Sequence, residues 1–436
     1  MGISSSLNAG VAGLAVNAVK LGTISDNIAN SQTNGYKRVD TEFADLVLQQ
    51  SSGAYSAGGV RAVTFRDAGV QGSFITTTNS TDISISGRGL LPVTDVGGLN
   101  SASSDRTLLL TSTGSFAPDE NGFLRTLSGL HLLGFPADVN GNIGTPVRDS
   151  IASLEPVRVN LNQFAASPTS RIQLGVNLPA TETEAGAAGQ PYTLPVEYFD
   201  TLGRSQSLSI VFTPTVPAVG APPTNAWDVE VFDNAGDPTI AIEQFNIVFD
   251  DSAAGGGSIL SVTPSGGTTF DPATGAVSIG AASTTIDLVI GSPGTATPLT
   301  QLSASFSPLA ITNDGAPIGN LSSIEIDEQG FLEAIFDTGF RRTIYQIPVA
   351  DVPNYRGLAA NGNQSFSVTQ DSGDIYLFDA GDGPAGLTIG FALTESTTDI
   401  AAELTDLIQT QRAYSSNARI IQTVDEILQE TTDIIR

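Results

Sequence analysis

TDIAAELTDLIQTQRAYSSNARIIQTVDEILQETTDIIR, residues 398–436, closes the chain. Within it Ile400, Leu404, Leu407, Gln411, Tyr414, Ala418, Ile421, Asp425, Leu428, Thr432 and Ile435 step by alternating four and three. That is the heptad rhythm of a helix with a narrow apolar stripe, and the intervening Thr, Gln, Asp, Glu and Arg give it a wet back. Near the other terminus Leu7, Val11, Leu14, Ala18, Leu21, Ser25 and Ile28 repeat the rhythm, up to the breaker Asn34-Gly35. Matching heptad helices at both ends predict a terminal coiled coil, with the rest of the chain as an excursion between them.

The excursion reads as strands and turns. TDISISG at 81–87 alternates, RTLLLTS at 106–112 is a buried-strand pattern, and Asn121-Gly122 and Asn140-Gly141 are hairpin signals. From about Ser153 the composition shifts to Thr, Ala, Gly, Pro and acids, with strand patterns at 194–199, 207–212, 227–232, 245–249 and 285–290. Clean strands return over 323–349. The expected fold is therefore multidomain α+β. Residues 1–29 and 398–436 form the helical coiled coil, 30–72 and 391–397 connecting linkers, 73–152 and 308–390 an inner β-domain, and 153–307 an inserted outer β-domain of sandwich or barrel type. Within the linker, Phe43, Leu46 and Val47 suit a short helix or strand, and 51–59 a loop. No fixed-period repeat is evident.

At 436 residues, 40% of them hydrophobic, the chain is long enough for several real cores. Its 45 acids against 18 bases leave a net charge of −27. Between Ser150 and Phe340 the bases are Arg158, Arg171 and Arg204. Such a surface repels phosphate backbones and argues against nucleic acid as a partner. There is no cysteine, hence no disulfide and no thiol chemistry. The N-terminus lacks a basic n-region, and Asn8, Asn17 and Lys20 break its apolar run, so neither a secretory signal nor membrane insertion is expected. Met1-Gly2 through Ser6 fits the myristoylation pattern, but small residues at a helix start explain it better.

Catalytic chemistry is thin. His131 is the one histidine and lacks the companions that a zinc site or a Ser-His-Asp triad needs, so a structural role is expected. Asp250-Asp251 lacks a sugar-binding aromatic platform. The loops at Asp119–Gly122, Asp371–Asp374 and Asp379–Gly383 hint at calcium but miss EF-hand spacing, and β-turns demand the same residues. Neither a P-loop nor a dinucleotide fingerprint occurs. The expectation is no enzyme, no cofactor and no metal; a secreted β-rich hydrolase or a calcium-binding adhesin stands as the rival class.

The stretch ISDNIANSQTNGYKR, residues 24–38, carries a family signature. Asn27, Ile28, Ala29, Asn30, Thr33, Gly35, Tyr36, Lys37 and Arg38 resemble the N-terminal motif of the bacterial flagellar axial proteins (rod, hook and hook-associated), with Asp26 and Gln32 as mild departures. Glu403-Leu404, Leu407-Ile408, Gln411, Arg412, Ala413, Tyr414, Asn417, Ala418, Arg419, Ile421-Gln422-Thr423 and Asp425 to Leu428 resemble its C-terminal partner motif. Inner stretches, among them Tyr198 to Gly203 and Asn313-Asp314-Gly315, are similar to the hook branch of that family. Arg88-Gly89-Leu90-Leu91 departs from the usual Gly-x-Gly-Phe-Phe. The resemblance implies a curved, bendable helical polymer of identical copies that joins rod to filament, with a distal rod or junction protein as the alternative. It further implies rod, junction, cap and export-apparatus proteins as partners, and a place outside the cell reached by flagellar export without a cleaved signal. The assembly residues expected on this basis are Leu7, Val11, Leu14, Leu21, Ile28, Ile400, Leu404, Leu407, Gln411, Tyr414, Ala418, Ile421, Leu428 and Ile435.

Overall fold

The computed structural model describes residues 3–46, 59–99, 101–102, 105–138, 141–160, 164–265, 269–281, 284–295 and 298–434. Met1-Gly2, Val47, residues 51–58, Asn140 and Ile435 therefore lie outside the described residues. Strands dominate the regular structure, with three helices among the described residues: α1 (Ile3–Ala29), the single turn α2 (Val96–Leu99) and α3 (Ile400–Ile434). The chain divides into two compact units, one of residues 1–161, 323–335 and 341–436, the other of 162–322 with 336–340.

In the first unit α1 and α3 lie side by side and antiparallel. A methyl group added at Gly10 would meet Ile421 at 3.3 Å and one at Gly13 would meet the Asn417 amide at 2.8 Å, while Lys20 faces Asp406 and Asn27 reaches Glu403. The segment expected as a linker with a short helix or strand near Phe43 contains an antiparallel hairpin, Val39–Asp45 against Val60–Arg66, in unbroken register from Val39 opposite Arg66 to Asp45 opposite Val60. Its β-branched and aromatic residues (Val39, Thr41, Phe43; Val60, Val63, Phe65) favour strand, and a Thr23–Thr41 hydroxyl contact of 2.9 Å fastens it to α1. Outgoing and returning chain then run together: Phe74–Thr76 pairs with Ala392–Thr394, and Asp82–Ser86 lies between Leu387–Gly390 and Thr113–Ser115. Deeper in, His131–Pro136 pairs with Leu91–Thr94 on one side and Arg341–Gln346 on the other. Leu90 and Leu91 are fully buried there. Gly89 has φ +132°, and a Cβ at this position would sit 2.0 Å from Val349, so the departure from the family pattern still needs its glycine.

The second unit is a β-sandwich. Five antiparallel strands in sequence order, from Tyr192–Phe199 to Ile259–Ser265, form one sheet. In the other, Arg171–Pro179 runs parallel to Thr284–Val289 and Thr300–Leu302 and antiparallel to Ser307–Asn313. Alternate residues of both sheets, including Ile172, Leu174, Tyr198, Phe212, Trp227, Ile247 and Leu288, share one core. Strand pairing explains why this unit starts and ends later than 153 and 307. Glu155-Pro156 pairs with Leu133-Gly134 of the first unit, whereas Ser307–Asn313 returns to Arg171–Pro179.

Candidate functional site: the junction of the terminal helices

Asn27, at the last turn of α1, is 1% exposed and ties three elements together. Its Oδ1 accepts from the Val39 N–H at 2.8 Å and from the Tyr36 hydroxyl at 3.2 Å. Its Nδ2 donates to the Val39 carbonyl at 2.9 Å and to Glu403 Oε1 at 3.0 Å. Glu403 sits in the first turn of α3 and is fully buried. The same Oε1 receives the Arg38 Nε–H, and Arg38 also faces Asp40 at 3.2 Å and Asp406 at 3.8 Å. Burial works against the Arg38 charge, but Glu403 and Asp40 more than offset it and raise its pKa. A buried carboxylate shared by an amide and a guanidinium is charge-assisted on both sides, the stronger class of hydrogen bond. The sequence pair 27/38 thus clamps the start of α3 onto the end of α1.

Neighbouring motif residues serve the same turn. Gly35 has φ +74°, its N–H donates to Thr394 O at 2.8 Å, and a Cβ would lie 2.7 Å from Thr113, so only glycine fits. Tyr36 is buried, donates to Asp26 at 3.0 Å and lies under the Arg66 guanidinium at 5.0 Å. Burial, with Asp26 beside it and Arg66 opposing, pushes its pKa up to about 12. Lys37 is 2% exposed and donates to the Val70 carbonyl at 2.5 Å; burial, opposed by Asp67, lowers its pKa to about 8. Asn30 turns back to Asp26, and Thr33 Oγ1 to Asn30. Ile28 is half-buried and Ala29 exposed.

Along the helices the contact face is one residue out of phase with the predicted seam. On α1 the inward positions are Gly10, Gly13, Val16, Asn17, Ile24 and Asn27. Leu7, Leu14, Leu21 and Ile28 of the expected stripe are half-buried, and Val11 is 52% exposed. On α3 Glu403, Thr410 and Val424 are buried and Asn417 half-buried, one heptad apart each. Leu407, Ala418 and Ile421 flank that line half-buried. Ile400, Leu404, Gln411, Arg412, Ala413, Tyr414, Arg419 and Leu428 are exposed. The 3,4 period stands, but the face is rotated by about 100°. Small residues on α1 let the backbones approach, and the apolar stripe is left at the rim. By length and composition alone Ser6–Ala29 is apolar enough to cross a membrane, a property that the count of uninterrupted apolar residues overlooked.

Reading the motif as a consensus missed Glu403 as the hub, although it stood next to Leu404, and treated Asp26 as a departure although it holds Tyr36 and Arg66. Elsewhere, His131 is buried with its pKa lowered by burial, edge-on to Phe123 at 6.4 Å. The Asp119 carboxylate accepts from Asn121 and Phe123 N–H groups. Both oxygens of Asp379 are taken by Arg148, at 2.8 and 2.7 Å.

Residues 391–434 match the family described as flagellar basal body rod FlgEFG protein C-terminal, and residues 161–316 the flagellar basal body protein FlaE D2 domain. Both are families of flagellar basal body proteins. Flagellar hook protein FlgE of Brucella suis biovar 1 (strain 1330) is 30% identical over 440 residues, covering 100% of both chains, and that of Rhizobium meliloti (strain 1021) is 29% identical over 437 residues with the same coverage. Among solved structures, Helicobacter pylori flagellar hook protein FlgE2 aligns with a TM-score of 0.49 and 12% identity, covering 74% of this chain and 100% of that one. The chain belongs to the flagellar hook protein family, a family of structural proteins.

Proposed function

We propose that this chain is the structural subunit of the flagellar hook, polymerising with copies of itself into a curved, bendable tube that carries torque from rod to filament. The observation that carries this reading is the phase of the terminal helices. They meet through Gly10, Gly13, Val16, Asn17, Ile24, Asn27, Glu403, Thr410, Asn417 and Val424, while Leu404, Ile408, Tyr414, Ile420, Ile427 and Leu428 stay 39–52% exposed on α3. A helix that leaves large apolar residues exposed on both flanks of its intramolecular contact has them available to other copies. Open head-to-tail contacts between identical copies generate helical polymers. The pair then works as a coiled coil whose apolar seam belongs to the polymer and whose polar face sets the register. The Asn27–Arg38–Glu403 clamp fixes how the pair joins the hairpin. The inserted sandwich, whose cations are Arg171 and Arg204, meets its copies through polar, screened surfaces that can slide during bending. The same reading includes delivery by flagellar export and contacts with rod, junction and cap proteins, for which membership of the family is the support.

Electron microscopy of polymer grown from the full chain tests this. A curved tube supports the hook, and a straight one transfers the chain to the distal rod. The double variant Leu404→Ser, Leu428→Ser keeps the folded subunit and forms no tube; undiminished polymerisation would remove the helices from the assembly contact.

A further inference from the structure

We propose that Asn361 is a site of spontaneous, structure-selected deamidation, which writes a new carboxylate into the groove between α1, the hairpin and the 356–361 loop. The chain holds four Asn-Gly pairs, at 34, 121, 140 and 361. The reaction needs the glycine amide nitrogen, free of a hydrogen bond and unhindered, to attack the preceding side-chain carboxamide carbon. A new N–C bond closes a five-membered succinimide, the C–N bond to the side-chain nitrogen breaks, and that nitrogen leaves as ammonia with the amide proton. Water then opens the ring at either carbonyl to give aspartate or isoaspartate. No oxidant or second protein is required.

The folded structure treats the pairs differently. Gly35 is buried and its N–H is held by Thr394 O at 2.8 Å; Gly122 N–H is held by Asp119 O at 2.9 Å. Both glycines have positive φ and a neighbour within 2.7 Å of where a Cβ would stand. Asn361 and Gly362 are both exposed, and nothing lies within 4 Å of a Cβ built on Gly362. Among the described residues, neither the Gly362 N–H nor the Asn361 carboxamide has a hydrogen-bond partner. The main-chain N–H of Asn361 and the carbonyl of Gly362 are both anchored on Ser365, so the turn presents the reacting pair outward. Asn361 lines the same groove as Arg66 and Arg356. Conversion therefore adds a negative charge to the rim of a groove that also holds Arg66, paired with Asp26, and Arg356, paired with Asp67, and the isoaspartyl product also lengthens the main chain of a five-residue turn.

The test is peptide mapping by mass spectrometry of the intact, folded chain held in mildly alkaline buffer, beside the same chain held in urea. In the folded chain the peptide containing Asn361 gains the mass of an amide-to-acid conversion while those containing Asn34 and Asn121 do not; in urea all of them convert. Gly362→Ala, which fits the open space there, loses the folded-state conversion. Asn361 unconverted in the folded chain, Asn34 or Asn121 converting alongside it, or Gly362→Ala reacting as fast as the parent would each overturn the proposal.

Discussion

Replacing Asn27 with alanine should loosen the hairpin from α1 more than any other single truncation of a motif asparagine. The change removes the acceptor of the Val39 N–H, at 2.8 Å, and the donor to the Val39 C=O, at 2.9 Å, together with one of the two donors on Glu403 Oε1. Each buried polar group left unpaired costs about 1–3 kcal/mol, and Val39 is half-buried, so water recovers part of it; the sum is about 2–4 kcal/mol. At about 1.4 kcal/mol per tenfold, the Val39 amide should exchange with deuterium about thirty to a thousand times faster. Amide exchange followed residue by residue on the folded monomer reads this directly. Asn30→Ala is the control: among the described residues its side chain bonds Asp26, in exposed contacts, and Thr33, in a long part-buried one of 3.3 Å, and its cost should stay within about 0.5 kcal/mol. Equal protection of Val39 in both variants would show that the Asn27 hydrogen bonds do not hold the hairpin.

Lys37 gives a pH dependence. Its folded-state value of about 8 lies below the unfolded 10.5, so between those pH values the unfolded chain holds the extra proton and stability rises with pH. The rise is up to about 3 kcal/mol for the full shift; urea unfolding between pH 8 and 10 should show it in the parent and lose it in Lys37→Met. Gly13→Leu drives a side chain into Asn417, already 2.8 Å from a bare Cβ. It should cost about 1–3 kcal/mol and lower the helical signal in thermal melts, whereas Gly22→Ala, with nothing nearby, should not. Glu403→Gln keeps an acceptor for Asn27 but gives up the charged bond to Arg38. The expected loss is about 1.5–3 kcal/mol, read as a lower urea midpoint.

The strand grammar of the excursion was legible because alternation has period two and each sheet has a wet side. Tyr198, Ile210, Phe212, Val229 and Ile247 announce the sandwich core by spacing alone. The two sheets were not separable by that signal. Arg171–Pro179 takes parallel partners from beyond residue 283 and an antiparallel one at 307–313, and nothing local encodes such distant pairings. The hairpin at 39–66 was hidden by its Ser- and Gly-rich middle, although its flanks carry ordinary strand residues.

The helices show a sharper limit. Heptad spacing constrains the period of a buried stripe, and a rule that buries the most apolar phase selects Leu7, Val11, Leu14 and Leu21. That rule assumes the partner is the other helix of the same chain. Here the chosen phase is Gly10, Gly13, Val16, Asn17, Ile24 and Asn27 against Val424, Asn417, Thr410 and Glu403, where glycines permit close approach and polar groups specify alignment. Choosing the weaker hydrophobic phase sacrifices burial within one subunit, which is sensible only if the apolar phase has another use. In a subunit built for a polymer, an apolar stripe consumed by its own partner helix would leave nothing to drive association. In the proposed assembly a largely polar clasp keeps the monomer aligned and the exposed apolar residues supply the free energy of association. The phase of the buried face is thus the observation on which the proposed assembly surface rests.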